Sequence, residues 1–206
     1  MINYNKEAKL IGLKYSIISF FNKNKFTILL LLTLILLSLL TGVFTGIKLH
    51  NISGTINIEK YSFITLISGD IYSVSIFIKR FLSALLVMGI CILFSTKKLL
   101  CLFGYILICY RAFLLALNCT FIIILLGFSG TINGILIILP CQLLILIVIS
   151  AVFIISLNSF KNKEQCGKLN DSYFKSVLIG IILLFTINII EAILLTTFKS
   201  TTLLII

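Results

Sequence analysis

Charged and titratable side chains are scarce in this sequence. Only 11% of the 206 residues are charged, six residues are acidic, and histidine occurs once. HExxH, GxSxG, P-loop and GxGxxG motifs are all missing, and the single histidine, His50, has no partner at metal-ligand spacing. The chain therefore offers no catalytic set, and we expect neither an enzyme nor a protein that binds a metal or a cofactor.

Polar residues are also too few to cover a soluble domain. Soluble domains are about 45–50% apolar and about 25% charged, whereas this chain is 60% hydrophobic with a mean hydropathy of +1.24. The net charge of +11 would suggest nucleic acid in a soluble protein, but here the lysines flank apolar runs, as topology signals do. We therefore predict an integral membrane protein whose partner is the lipid bilayer and not nucleic acid.

CxxC pairs are absent as well. The six cysteines are Cys91, Cys101, Cys109, Cys119, Cys141 and Cys166. Five of them lie in apolar runs and the sixth lies in a lysine-rich loop. This distribution favours small buried hydrophobic side chains over metal or redox sites.

Apolar runs long enough to approach the ~20 residues of a membrane-spanning helix occur five times. They predict an all-α bundle of five transmembrane helices in one domain, residues 1–206. The predicted spans are residues 26–47, 76–96, 99–126, 131–157 and 174–198.

Two segments outside these spans are long enough to matter. Residues 1–25 repeat apolar side chains at helical spacing, which suits either an interfacial amphipathic helix or a short solvated lead-in. Residues 48–75 form the one sizeable external segment, and its second half is apolar enough to lie in the interface or dip into the membrane. It is too short for a catalytic domain.

The distribution of basic residues predicts the orientation. Eleven lysines fall on the side of the N-terminus and of the links after spans two and four, against five basic residues on the other side. Lys79 and Arg80 belong to the second group, near the start of span two, where long side chains can reach the headgroups. The positive-inside rule then places the N-terminus in the cytoplasm and the C-terminus outside.

Two charged residues lie well inside the predicted spans. Arg111 is about 18 Å along span three, and Glu191 lies farther along span five. A cation at mid-bilayer costs about 3 kcal/mol on insertion scales, so it should face the bundle interior. We hypothesise that Arg111 pairs with Glu191. The alternative is that Glu191 sits at the external interface and Arg111 marks a break between two half-helices.

Amides, one proline and several glycines complete the set of candidate structural residues. Asn118, Gln142 and Asn188 are expected to form interhelical hydrogen bonds, as buried amides commonly do. Pro140 is expected to break the helix of span four, with Gln142 as a candidate partner for the freed carbonyl. A tight turn between spans three and four is expected at Gly127, Gly130 and Gly134.

The stretch from Tyr110 to Leu146 resembles the core of the stage II sporulation protein M (SpoIIM) family. Three elements carry the likeness, in this order along the chain. The first is a basic residue before a small residue and an apolar run, the second is a glycine-containing turn, and the third is a span with Leu-Pro and a polar residue. The matching positions are Arg111, Ala112, Phe113, Gly127, Gly130, Leu139, Pro140 and Gln142. The resemblance covers roughly residues 25–160.

The resemblance implies a non-enzymatic scaffold in a bacterial cell membrane. Members of that family recruit two peptidoglycan-degrading partners, SpoIIP-like and SpoIID-like proteins, to the septum during engulfment in sporulation. The sequence leaves homo-oligomer formation open. The competing hypothesis is a small transporter or permease component, in which Arg111 would hold an anion beside a break at Pro140.

Overall fold

A computed structural model describes residues 2–53, 74–97, 100–131, 138–166 and 171–202, and these residues form helices joined, where the link is described, by a short turn. The helices are α1 (Ile2–Ser53), α2 (Val74–Phe94), α3 (Cys101–Thr131), α4 (Leu139–Cys166) and α5 (Asp171–Thr202). Each contains a stretch long and apolar enough to cross a membrane. The prediction of a five-helix, multi-pass membrane bundle is therefore confirmed.

The N-terminal lead-in is helical, but it is not a separate element. α1 runs for 52 residues without interruption, so the lead-in and the first span form one helix. Hydroxyl side chains along it are satisfied within the helix: Ser38 donates to the carbonyl of Leu34 at 2.8 Å and Thr45 to that of Thr41 at 2.7 Å. Such bonds let polar residues lie in an apolar environment. Most of the predicted external segment, residues 54–73, lies outside the described residues.

The boundary between spans three and four differs from the prediction. Gly127 and Gly130 lie inside α3, which continues to Thr131, so neither forms the expected turn. Gly134 lies outside the described residues. Their apolar neighbours extend the helix because single glycines weaken a helix by only about 1 kcal/mol.

Pro140 lies near the start of the described part of α4, which continues from Leu139 to Cys166. Ile138, the residue before that helix, has π-helical geometry, and residues 132–137 lie outside the described residues. The helix break expected at Pro140 therefore stays a prediction. The alternative of a break between two half-helices at Arg111 is wrong, since α3 is continuous through that residue.

Side-chain contacts give the direction of each helix. Gly42 meets Ala116 and Gly46 meets Thr120, so α1 and α3 run parallel. Gly104 meets Phe153 and Ile122 packs in one cluster with Ile138, so α3 and α4 run antiparallel. On α5, Glu191 bonds to Arg80 and Gln142, whereas Gly180 meets Met88 and Val152, so α5 runs antiparallel to α2 and α4. α2 and α4 therefore run opposite to α1, α3 and α5. Which membrane face holds each end of the bundle stays a prediction from the lysine count.

The core lies around α3 and α4. In the apolar stretches of these two helices 44% of the residues are buried, against 11% in α1, 17% in α2 and 22% in α5. The core residues share low exposure and small or branched side chains, and they include Ala84, Met88, Cys91, Ile108, Ala112, Ile145, Ile149, Val152, Phe153 and Leu184. The outer faces of the other three helices expose leucine, isoleucine and phenylalanine, which suits contact with lipid.

Glycines let the helices approach closely at specific points. A Cβ atom on Gly42 would lie 2.5 Å from the carbonyl oxygen of Phe113 and 2.8 Å from the Cβ of Ala116. A Cβ on Gly104 would lie 2.5 Å from the fully buried ring of Phe153. Small residues at four-residue spacing, as in Gly42 and Gly46, are the usual basis of close packing between membrane helices. α1 uses this pair against α3 of its own chain.

Candidate functional site

The most deeply buried charge in the described part of the chain is a carboxylate. Glu191, on α5, is 1% exposed. Its Oε1 forms an ion pair with Nη1 of Arg80 on α2, and its Oε2 accepts a hydrogen bond of 2.8 Å from Nε2 of Gln142 on α4. Three helices thus meet through one side chain, and both of its oxygens have protein partners. We call Arg80, Gln142 and Glu191 the polar cluster.

The fold positions these residues through regular helical stripes. On α5, Gly180, Leu184, Asn188 and Glu191 recur three or four residues apart, and all four are buried. That spacing places them on one helix face. Glu191 therefore continues an inward-facing stripe of small and polar residues.

A similar stripe explains why Arg80 points inward. Arg80, Ala84, Met88 and Cys91 recur at helical spacing on α2, and the last three are buried in the core. The side chain of Arg80 is only 15% exposed, whereas the adjacent Lys79 is exposed. The expectation that Arg80 reaches the headgroups is wrong, because its guanidinium pairs with Glu191. The same expectation for Lys79 stays a prediction. The signal was present in the sequence as the register between Arg80 and the small residues Ala84 and Cys91.

Arg111 is not the ion-pair partner of Glu191 in the described residues, so the hypothesised pair is corrected. Arg111 lies ten residues, or about 15 Å, after Cys101, where the membrane-spanning stretch of α3 begins, while Glu191 lies 18 residues, or about 27 Å, after Tyr173, where that of α5 begins. The antiparallel α2 brings Arg80 to the depth of Glu191. Arg111 still lies within electrostatic range of Glu191 and Arg80, and also of Cys91. It therefore belongs to the surroundings of the polar cluster.

The charges of this region do not cancel. Arg80 and Arg111 carry two positive charges and Glu191 carries one negative charge, which leaves one positive charge among these three side chains. Separating an ion pair inside a membrane bundle is expensive, so residues of this kind usually hold one arrangement or mark an ion pathway. The polar cluster can act as a structural anchor, and the surplus charge that Arg111 adds beside it can attract an anion.

The three predicted amides behave differently from one another. Gln142 makes the interhelical hydrogen bond described above, and its partner is Glu191, not a carbonyl near Pro140. Asn188 donates to the carbonyl of Leu184 in its own helix at 2.7 Å, so it does not form the expected bond between helices, and its Oδ1 has no partner among the described residues. Asn118 is half-buried on α3.

A second polar site lies at the opposite end of the bundle and was missed from the sequence. Nδ2 of Asn158 on α4 donates to Oδ1 of Asn24 on α1 at 2.8 Å, and Nδ2 of Asn24 donates to the carbonyl of Phe20 at 3.0 Å. The pair borders a crevice of about 200 Å³. Two asparagines 134 residues apart, one in the middle of α1 and one near the end of α4, carry no sequence signal that links them.

Metal and disulfide chemistry find no support in the described residues. No group of three or more histidine, cysteine, aspartate or glutamate side chains there could hold a metal ion. Cys91, Cys109, Cys119 and Cys141 form no disulfide, and three of these side chains are buried: Cys91, Cys119 and Cys141. Their burial agrees with the interpretation as small hydrophobic residues.

The fold and the intramembrane ion pair together define a multi-pass α-helical membrane protein. Comparison of the chain with protein-family models, with curated proteins and with solved structures finds no match in any of the three. The particular function is therefore inferred from the site.

Proposed function

We propose that this protein is a non-enzymatic scaffold of a bacterial cell membrane, which recruits and localises peptidoglycan-degrading partners. The observation that carries the proposal is that both carboxylate oxygens of the buried Glu191 are bonded to protein side chains, one to Arg80 and the other to Gln142. A carboxylate held in this way joins α2, α4 and α5 and is not available to a substrate. Such a cluster suits a bundle that keeps one arrangement.

The packing between helices supports the same interpretation. Gly42, Gly104 and Gly180 each lie so close to a neighbouring helix that an added Cβ would approach within 2.6 Å of an atom there. Close contacts of this kind resist the sliding of helices that alternating access needs. A rigid bundle instead presents constant surfaces to other proteins in the membrane.

The finer part of the proposal comes from the resemblance of residues 25–160 to the SpoIIM family. By that resemblance the partners are SpoIIP-like and SpoIID-like hydrolases, which act at the septum during engulfment. The catalytic groups would then belong to the partners, in agreement with the scarcity of such groups in this chain. The external segment, residues 48–75, is the expected contact region.

Affinity co-purification of the tagged, full-length protein from membranes of sporulating cells tests the proposal. We expect peptidoglycan hydrolases to be recovered with the wild type. Recovery should be unchanged in Arg111→Gln at equal expression, because Arg111 makes no ion pair with Glu191 in the described bundle. Lys79→Gln, at the exposed cation beside Arg80, is a matched control for the loss of one positive charge. Absence of hydrolases from the wild-type sample contradicts the scaffold.

A second candidate function, a transporter component that binds an anion, is favoured by one observation. Arg80, Arg111 and Glu191 leave one positive charge near the bundle interior, and Arg111 is the residue without an ion pair to Glu191. Purified protein in liposomes should then carry chloride or phosphate across the membrane, and Arg111→Gln should abolish the flux. Equal flux in empty liposomes and in liposomes with the protein would exclude this candidate.

A further inference from the structure

Four helices line the crevice beside the Asn24–Asn158 pair. Its lining residues come from the ends of the spans: Asn24, Thr27, Ser95, Thr96, Cys101, Tyr105, Ile154, Leu157, Asn158, Phe160 and Lys161. Cys101 begins α3 and Lys161 is the last residue of the candidate span of α4, so the crevice lies at the level where a membrane helix meets the headgroups. Its volume of about 200 Å³ is below the ~300–1,000 Å³ of sites for drug-sized molecules. A small polar group fits it better than a large substrate.

The polar side chains that line the crevice can donate hydrogen bonds, and all of them except Lys161 can also accept. Asn24 and Asn158 each use one N–H in the bonds given above, which leaves each amide a second N–H. Thr27 and Tyr105 add hydroxyls, and Lys161 adds an ammonium group. No carboxylate is among the lining residues.

The hydroxyls that follow α2 reduce the negative partial charge at the C-terminal end of that helix. Ser95 donates to the carbonyl of Ile92 at 2.6 Å, and Thr96 donates to the carbonyl of Leu93 at 2.8 Å. These bonds cap two of the last carbonyls of α2. The next helix, α3, begins at Cys101 and directs the positive end of its dipole toward the same crevice.

The whole end of the bundle around the crevice is basic. Among side chains that the structure describes, Lys23, Lys25, Lys97, Lys161 and Lys175 lie at this end, and all are exposed; we call it the lysine-rich end. The lysine-rich end therefore attracts anions at a membrane surface.

We propose that this crevice binds a phosphate group carried by the headgroup of an anionic membrane lipid. The donors recognise the phosphate oxygens, and Lys161 supplies the opposite charge. A lipid is the source that the position favours, because the crevice lies at the headgroup level and α1 exposes Leu30 one turn farther along than Thr27. The acyl chains of a lipid held in the crevice would run along this side of α1.

Native mass spectrometry of the full-length protein in a neutral detergent tests the proposal. The probes are phosphatidylglycerol and phosphatidylcholine with identical acyl chains, added at equal concentrations. We expect the protein to retain phosphatidylglycerol at least about fivefold better, the factor that one lysine near an anionic surface contributes. Lys161→Gln should lower the retention of phosphatidylglycerol about fivefold. Tyr105→Phe should also lower it.

Lys175→Gln is the matched control, since Lys175 is exposed at the same end but does not line the crevice. Unchanged lipid retention in Lys175→Gln supports a specific site, whereas an equal loss in Lys161→Gln and Lys175→Gln overturns it in favour of general surface attraction. Equal retention of the two lipids by the wild type also overturns the proposal. In a separate arm, inorganic phosphate replaces the lipid. Displacement of phosphatidylglycerol by millimolar phosphate would show that the crevice takes the free ion and would refute the lipid as its ligand.

Discussion

The two ends of the bundle use polar side chains in opposite ways. At the end where α5 terminates, Arg80, Gln142 and Glu191 bind one another and leave the carboxylate almost completely buried. At the lysine-rich end, Asn24 and Asn158 bind each other but border an open crevice with donors to spare. The first arrangement stabilises the bundle, and the second leaves room for a ligand.

α1 differs between the same two ends. Toward its C-terminus Gly42 and Gly46 pack directly on α3, with a separation that excludes even a methyl group at Gly42. Toward the lysine-rich end, its described polar link to α4 is the single hydrogen bond from Asn158 to Asn24. We infer that α1 is held firmly at one end and weakly at the other.

The largest expected effect comes from Glu191→Leu. It leaves the guanidinium of Arg80 largely buried without its partner, and removal of one member of a buried pair costs about 3–5 kcal/mol. The measurement is the free energy of unfolding in mixed micelles of lipid-like detergent and dodecyl sulfate. The double variant Arg80→Leu/Glu191→Leu should be more stable than the sum of the single effects predicts. Additive losses would show that the two side chains do not interact.

Gly42→Ala should have the next largest effect. The new methyl group would lie 2.5 Å from a backbone oxygen of Phe113, which cannot rotate away, so α1 must shift. Overpacking of this kind costs about 1–3 kcal/mol, measured as above. Gly89→Ala is the matched control, because a Cβ there would meet nothing within 4 Å. It should be neutral or stabilise α2 by up to about 1 kcal/mol. Equal losses in the two variants would contradict the close contact.

Asn158→Ala should have the smallest effect. Interhelical hydrogen bonds in membrane bundles average about 0.6 kcal/mol, and Asn24 keeps its bond to Phe20. The free energy of unfolding should therefore fall by less than 1 kcal/mol. Hydrogen exchange of backbone amides around Asn24 should nevertheless rise, since the link between α1 and α4 is lost. A loss as large as that of Glu191→Leu would remove the contrast between the two ends.

Much of the bundle could be predicted from the sequence, because spanning a bilayer is a local property. Five apolar runs of sufficient length predicted five helices, and residues 26–47 and 76–96 lie within or almost within α1 and α2. The turn expected at Gly127 and Gly130 was wrong, since both residues lie inside α3, which continues to Thr131.

The polar site was only partly predictable. The sequence indicates Glu191 and Gln142 as intramembrane polar residues. It suggests, however, that Arg80 reaches the headgroups and that Arg111 is the ion-pair partner of Glu191. Both arginines lie in apolar helices, and composition does not distinguish them. The helical register of Arg80 with Ala84 and Cys91 did contain the information, because it places Arg80 on the buried face of α2.

The sequence by itself determined that this chain lies in a membrane as five helices, because length and hydropathy along each run decide insertion. Only the tertiary structure decided that Glu191 pairs with Arg80, that Gly42 packs on Phe113, and that Asn24 meets Asn158. Each of these contacts depends on the depth and rotation of one helix relative to another. Those quantities follow from the packing of whole helix faces, which no single segment contains.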